Sequence, residues 1–484
     1  MDKSKMIFGN EISDRAYKKA IKSKKKFIKK FGDDSNKTYN LTLEDNPTLK
    51  PFIGVKNIVT QDENEKLDLD KGIIIGNIRM GFGHYRISMA IASAAYSMGY
   101  TPLWFDLNSF KETTGGKVID HLNSLYSLGS RLSQRFSLFN KLYWEPLNSE
   151  GFKKLSYNAN DQKVSELMTP IYTKLPKEMP FIATHAWPAQ AAVHAGFKRV
   201  VNVIPDNWPM ALHLAEGSIH TVQTPSSYLG YKTLKGMDKE KILNPIPDDK
   251  LYNVGHYIDH ELVKNIEKDS NKRLERIKNE KIKRILLTVG GAGAQRKIFT
   301  EIIKNLLPRI KKDKATLFIN VGDHKNVWEG LIEDIPELNE LSNKYFNDWD
   351  ETINFSKKAL DSDVSGIHVF YHKDIFQAVY ATNLLMRSSD LVITKPSELS
   401  FYPVPKLLIK RIGGHEKWGA IRSSEIGDGT IECESVDKTI QMLNLMLDSK
   451  DILTSFNENI INANKIGIYN GAYKVVELSL NKDI

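Results

Sequence analysis

Residues 73–84, read Ile-Ile-Ile-Gly-Asn-Ile-Arg-Met-Gly-Phe-Gly-His, pass from an apolar run into a glycine turn that ends on an imidazole. Gly72 to Ile78 has the length and aliphatic content of a buried strand. Beyond the turn, Ile87, Met89, Ala90, Ile91, Ala94, Ala95 and Met98 recur at helical spacing before Gly99, predicting a helix over 85–98. Thr101 to Leu107 reads as the next strand. The unit is therefore βαβ, and βαβ units imply a parallel sheet and a Rossmann-like half.

The same order returns about 215 residues later. Arg284 to Val289 reads as a strand, Gly290-Gly291-Ala292-Gly293-Ala294-Gln295 as a glycine turn, Lys297 to Ile310 as a helix and Ala315 to Val321 as a strand. Two such cycles predict an α/β protein of two Rossmann-like doubly wound domains facing an interdomain cleft. The expected divisions are a basic extension and irregular lead-in over 1–70, a first domain over 71–255, a connection over 256–283, a second domain over 284–455 and a helical segment over 456–484. Residues 32–70 read as a linker, with the fold proper beginning near Gly72. Residues 322–366, polar and acidic, read as a surface insertion. Residues 108–175 are less regular and carry the aromatic cluster Leu142 to Pro146.

Composition narrows the class. A chain of 484 residues, 41% hydrophobic and 26% charged, has material for two large cores. One cysteine, Cys433, excludes an internal disulfide, and the sequence displays no Cys/His metal motif and no signal peptide, which points to the cytoplasm. The formal charge is +9, and residues 1–31 alone hold ten lysines and one arginine against three acids. Apolar residues in that segment, among them Ala20, Ile21, Phe27, Ile28 and Phe31, partly follow helical spacing. An interfacial helix peripheral on the inner face of a membrane and a solvated basic extension both fit.

Several residues have the chemistry for a site. Gly81 and Gly83 allow close backbone approach, and His84 would stand in the first turn of the following helix, where the positive dipole end favours a neutral imidazole and hence a general base. A structural hydrogen bond is the other reading of a lone histidine. The second glycine turn suits a backbone cradle for phosphate oxygens, with Arg296 beside it; tight packing of strand on helix is the alternative. It is not a Walker loop. In Thr394-Lys395-Pro396-Ser397-Glu398, Ser397 could cap a helix and Glu398 could accept from sugar hydroxyls or merely stabilise the helix start. His415, Glu416 and Trp418 follow Gly413-Gly414. Asp206, in Pro205-Asp206-Asn207-Trp208-Pro209, and His185 both fall at carboxyl ends of strands, where open α/β sheets bind ligands, though Asp is also a common turn former.

Taken together, "GFGHYRISMAIASAAYSMGY", "VNVIPDNWPMALHLAEGSIHTVQTPS", "TVGGAGAQ" and "SSDLVITKPSELSFYPVPKLLIKRIGGHEKWGAI" resemble, in order, the motifs of glycosyltransferase family 28. This is the glycosyltransferase B fold group of the peptidoglycan lipid-intermediate N-acetylglucosaminyltransferase and the monogalactosyldiacylglycerol synthases. The resemblance spans about residues 72 to 440. It implies an inverting transfer from a nucleotide diphosphate sugar, usually uridine-linked, to a hydroxyl acceptor such as a membrane glycolipid, with no metal or other cofactor and no nucleic-acid partner. By that resemblance His84 and Asp206 are catalytic. Gly290, Gly291 and Gly293 hold the diphosphate; Glu398 holds ribose hydroxyls; His415 and Glu416 meet the donor sugar. Position in the sequence adds Arg296 to the donor-binding residues and Gly81, Gly83 and His185 to the acceptor side. The chain departs from the family pattern at Met80 and Phe82 and in a shorter turn around Pro396. A nucleotide-sugar epimerase of the same fold and a non-catalytic nucleotide-sugar or glycan-binding protein are the competing readings.

Overall fold

The computed structural model describes residues 2–62, 67, 69–135, 151–239, 241–290 and 295–481, with backbone alone for 126–135. The aromatic cluster at 142–146 and the glycines 291 and 293 lie outside the described residues. A short antiparallel hairpin, β1 (Met6–Ile7) and β2 (Asn10–Glu11), precedes two sheets.

The first sheet contains β3 (Leu41–Asp45), β4 (Lys56–Thr60), β5 (Gly72–Asn77), β6 (Thr101–Asp106), β7 (Phe181–Ala183), β8 (Val200–Val203), β9 (Ile219–Val222) and β10 (Leu251–Asn253). Its spatial order is β10-β9-β8-β7-β5-β6-β4-β3, parallel throughout except for antiparallel β3 at the edge. The chain steps from β5 to β6 on one side and then to β7 on the other, so the topological switch lies between β5 and β7. All six residues of β5 are buried, as its unbroken aliphatic run requires of a strand covered on both faces.

The second sheet contains β11 (Lys283–Thr288), β12 (Ala315–Asn320), β13 (Ser342–Phe346), β14 (Gly366–Tyr371), β15 (Leu391–Thr394) and β16 (Lys406–Leu408). Its order, β13-β14-β12-β11-β15-β16, is wholly parallel, with the switch between β11 and β15. The expected pair of doubly wound domains is present. Their carboxyl edges face each other: Arg79, in the loop after β5, and Arg86, in the helix that follows it, meet Asp323 after β12 and Glu398 after β15, and Asn207 in the loop after β8 meets Trp418 after β16.

Three expectations need correction. Residues 32–70 are not a linker: β3 and β4 extend the first sheet, with Leu41 and Ile58 in the core around Ile74 and Phe105. The short, polar-rich strands hid there because each buries few side chains. Residues 322–366 are not a mere insertion, since β13 forms the edge of the second sheet and is followed by the helix Trp349–Asp361, whose Phe355 packs on Phe318.

The third correction concerns the basic segment. It does form a helix, Asp14–Phe31, capped by Ser13. Its apolar side does not point outward, however: Phe27, Ile28 and Phe31 pack against Val118, Val164 and Leu167, and Lys24 pairs with Glu166 at 2.6 Å. The far end of the chain crosses back, as the helix Gly471–Leu480 packs Ala472, Val475 and Val476 against Ile87 and Ile91 of the helix Gly83–Ser97.

Candidate active site at the two switch points

At the first switch point β5 delivers the turn 78–82 and β7 delivers Thr184 and His185. Gly81 takes the left-handed conformation, φ +75°, with open space around it, and the helix starts at Gly83. His84 Nδ1 lies 2.6 Å from the Thr184 carbonyl. A carbonyl only accepts, so Nδ1 carries the proton and Nε2 keeps its lone pair. The ring is half-buried. Burial lowers its pKa, and the charge of His213 acts in the same direction, against opposing pulls from Thr184, Asp206 and Glu398. The neutral base that the sequence attributed to the helix dipole is thus favoured mainly by desolvation.

His185 packs edge-on to His84, ring centroids 5.0 Å apart. Its Nδ1 accepts from the Trp187 backbone N–H at 3.1 Å and caps the helix Ala186–His194, which places its proton on Nε2. Burial holds its pKa well below the ordinary value, with His84 and His213 adding to the shift.

Asp206 follows β8. Burial on its own would raise the carboxyl, but the charge of His415, the hydrogen bond and charge of His213, and His84 together hold it below the usual carboxylate range. His213 Nε2 sits 3.2 Å from Asp206 Oδ2, and its Nδ1 is 2.7 Å from the Tyr231 hydroxyl. Neither His213 nor Tyr231 was singled out from the sequence. They come from separate elements, and no spacing rule links them to Asp206.

At the second switch point Gly290 follows β11 and Lys395 follows β15. A Cβ added to Gly290 would come within 3.1 Å of Lys395 Cε, so bare backbone and a lysine side chain lie side by side. Lys395 also bonds to Glu416 Oε1, while Glu416 Oε2 accepts from the backbone N–H groups of Ile412 (2.8 Å) and Gly413 (3.3 Å). Burial would raise the Glu416 carboxyl, but Lys395 and His415 hold it low. Glu416 is therefore committed to shaping the loop 410–416. His415 remains half-exposed beside it.

Arg296 departs from expectation. Its guanidinium packs over Gly330 and pairs with Asp334 (3.2 Å) and Glu333 (3.5 Å), away from the glycine turn, because the adjacent helix Lys325–Asp334 ends in those acids. Lys395 is the cationic side chain that lies beside Gly290 among the described residues. Ser397 makes no capping bond, and Glu398 opens only the short 3₁₀ turn Glu398–Phe401. Glu398 reaches across the cleft, 3.5 Å from Arg86 Nε and 3.4 Å from where a Gly83 Cβ would stand. Arg86 continues to the Val379 carbonyl and Asn383 Oδ1 of the second domain. Two more contacts join the domains here: Arg79 pairs with Asp323, and Phe82 packs on His324 with centroids 5.6 Å apart.

Among the described residues no group of three or more His, Cys, Asp or Glu is arranged to hold a metal ion, and no helix is long and apolar enough to cross a membrane. Residues 6–233 match a family model described as Domain of unknown function (DUF6937), and residues 246–480 match another, Domain of unknown function (DUF6938). No curated protein matches the chain. Among solved structures the chain is similar to a UDP-GlcNAc 2-epimerase from Neisseria meningitidis bound to UDP-GlcNAc, with 14% identity over 84% of this chain and 98% of that one and a TM-score of 0.45. An α,α-trehalose 6-phosphate synthase from Burkholderia multivorans aligns at 11% identity over 85% and 98% with a TM-score of 0.44, and a glycosyltransferase from Rickettsia africae at 11% over 86% and 100% with 0.37. The two family models match the chain on either side of residues 234–245.

Proposed function

We propose that the chain is an inverting glycosyltransferase that moves a sugar from a nucleotide diphosphate sugar, uridine-linked, to a hydroxyl acceptor. One observation carries the reading. The two switch points face each other, one presenting an imidazole with a free Nε2 and the other a bare glycine backbone beside Lys395. A diphosphate leaving group needs donors and positive charge already in place, and an acceptor hydroxyl needs a base.

In this reading the acceptor enters on the side of His84, His185 and Asp206. His84 Nε2 takes the hydroxyl proton as the oxygen attacks the anomeric carbon, and the bond to the diphosphate breaks on the opposite face. Gly290, with Gly291 and Gly293, and Lys395 receive the leaving charge. Asp206, held ionised, stabilises the imidazolium formed at His84. Glu398 and His415 contact the donor, and Glu416 keeps the loop carrying His415 in shape. The resemblance to family 28 supports the roles of His84, Asp206, the glycine turn, Glu398 and His415; those of Lys395 and Glu416 rest on their contacts.

The acceptor is proposed to be membrane-borne. Arg15, Lys18, Lys19, Lys22, Lys25, Lys26, Lys29 and Lys30 are all exposed on the helix Asp14–Phe31, whose apolar side is already packed inward. Docking on anionic lipid is then electrostatic, at about 1 kcal/mol per cation near the surface, rather than by insertion. Changing Lys18, Lys22, Lys25 and Lys29 to Glu should abolish sedimentation with phosphatidylglycerol vesicles while thermal unfolding stays unchanged; unaltered sedimentation removes the membrane from the reading.

The test of the function is product analysis with UDP-sugars, with and without a bacterial lipid extract. A new glycolipid together with released UDP supports transfer. Conversion of the UDP-sugar to its epimer without any acceptor replaces the proposal with the epimerase.

A further inference from the structure

Two tryptophans approach each other from opposite sides of the cleft. The segment Pro205-Asp206-Asn207-Trp208-Pro209 leaves β8 in the first domain, and Gly413-Gly414-His415-Glu416-Lys417-Trp418 leaves the β16 edge of the second. The Trp208 and Trp418 ring centroids are 5.5 Å apart at an interplanar angle of 47°. Both segments are held in place. Asn207 Nδ2 donates to the Trp418 carbonyl at 3.3 Å, while Asn207 Oδ1 accepts from Thr224. The Tyr231 hydroxyl donates to the Trp208 carbonyl at 3.0 Å, and Pro209 packs on Gly230, where a Cβ would come within 2.9 Å.

Despite this support neither indole is fully buried, and Lys153 Nζ lies over the Trp208 ring, 5.8 Å from its centroid. A pair serving only to glue two domains together would be expected to bury its rings. Two partly exposed indoles close in sequence to the carboxylate of Asp206 and the imidazole of His415 match a ligand with an apolar face and a polar rim. A pyranose ring has that character: axial C–H groups on its faces and hydroxyls round its edge.

We propose that Trp208 and Trp418 form a composite aromatic platform at the cleft mouth that binds the face of a sugar ring, with Asp206 and His415 placed to meet its hydroxyls. The proposal rests on the reading of the cleft as a sugar-nucleotide site and adds to it the subsite for the sugar itself. Because each domain supplies one indole, the platform exists only when the domains are closed. The ring comes either from the donor or from a glycosylated acceptor, and the experiment separates the two.

Calorimetric titration of UDP, UDP-glucose, UDP-galactose and UDP-N-acetylglucosamine into the full-length protein, Trp208→Ala and Trp418→Ala is run beside a saccharide array. If the donor ring occupies the platform, one UDP-sugar binds wild type more tightly than UDP, and both variants lose that margin, about tenfold, with UDP affinity kept. If the acceptor ring occupies it, array binding of a saccharide is lost in both variants with UDP affinity again kept. Trp418→Phe, which preserves an aromatic face, should restore most of the loss and exclude misfolding as its cause. Sugar discrimination and array binding both unchanged in the alanine variants would overturn the platform. Failure of UDP to bind any of the proteins would count against the donor reading instead, leaving the array to judge the platform by itself.

Discussion

His84 and His185 share a switch point and carry opposite tautomers, because one meets a carbonyl and the other a backbone N–H. Only His84 has its Nε2 lone pair available. His84→Ala should lower the transfer rate about 10²- to 10⁴-fold with nucleotide affinity retained, measured by UDP release and by titration; a variant with near-normal turnover would remove the base role. Both imidazoles have folded pKa values below the unfolded value of 6.5. The unfolded chain then binds more protons in the window beneath 6.5, so the stability they contribute is present above it and is lost as pH falls below it. Urea midpoints between pH 8 and 5 should decline on the acid side, and less steeply in His185→Gln. A third residue, Lys395, holds Glu416, which is 8% exposed. Lys395→Met leaves that carboxylate buried without its cation, and a loss of about 3 kcal/mol is expected along with weaker UDP binding.

The segment 79–84 joins the first domain to the second through Arg79 and Phe82. Gly322, at φ +61°, faces Phe82 so closely that a Cβ would come within 2.6 Å of the ring. Gly322→Ala therefore strains the backbone and overpacks the contact, at a cost of about 1 to 3 kcal/mol, read as a lower urea midpoint. Arg86→Ala should act through a second contact between the domains, its pairing with Glu398, freeing that carboxylate and loosening the helix start that carries His84, so that kcat falls more than KM rises. These couplings explain what was legible. The βαβ cycles were, since β5 and β11 are almost wholly buried and each carries a central aliphatic triplet, Ile73-Ile74-Ile75 and Ile285-Leu286-Leu287, ahead of a glycine turn. β3, β4 and β13 were not, because an edge or near-edge strand exposes part of its length and its sequence stays polar. In the site, the glycine turns and His84 stood out by type and order. Arg86 looked like one polar residue in an apolar helix, and its partners lie about 300 positions away. Arg296 was misplaced for the converse reason: sequence proximity to the turn did not reveal the acids on the neighbouring helix.

At the scale of the molecule, three segments distant in sequence make one body. The helix Asp14–Phe31 covers Val118, Val164 and Leu167, and the helix Gly471–Leu480 covers the helix that begins beside His84. Removing residues 1–31 should therefore lower Tm by several degrees as well as weaken vesicle binding, which is why charge reversal is the cleaner membrane test. The proposed chemistry requires a nucleotide diphosphate held in the cleft between Gly290, Lys395 and the first domain. Thermal unfolding of wild type and Lys395→Ala with UDP, GDP, CDP and NADH tests it most directly, since a ligand at about 100 times its Kd adds roughly 2.7 kcal/mol. UDP should stabilise wild type more than the other ligands do, and less so in Lys395→Ala; stabilisation by none, or by NADH alone, would rule out a uridine diphosphate site in the cleft.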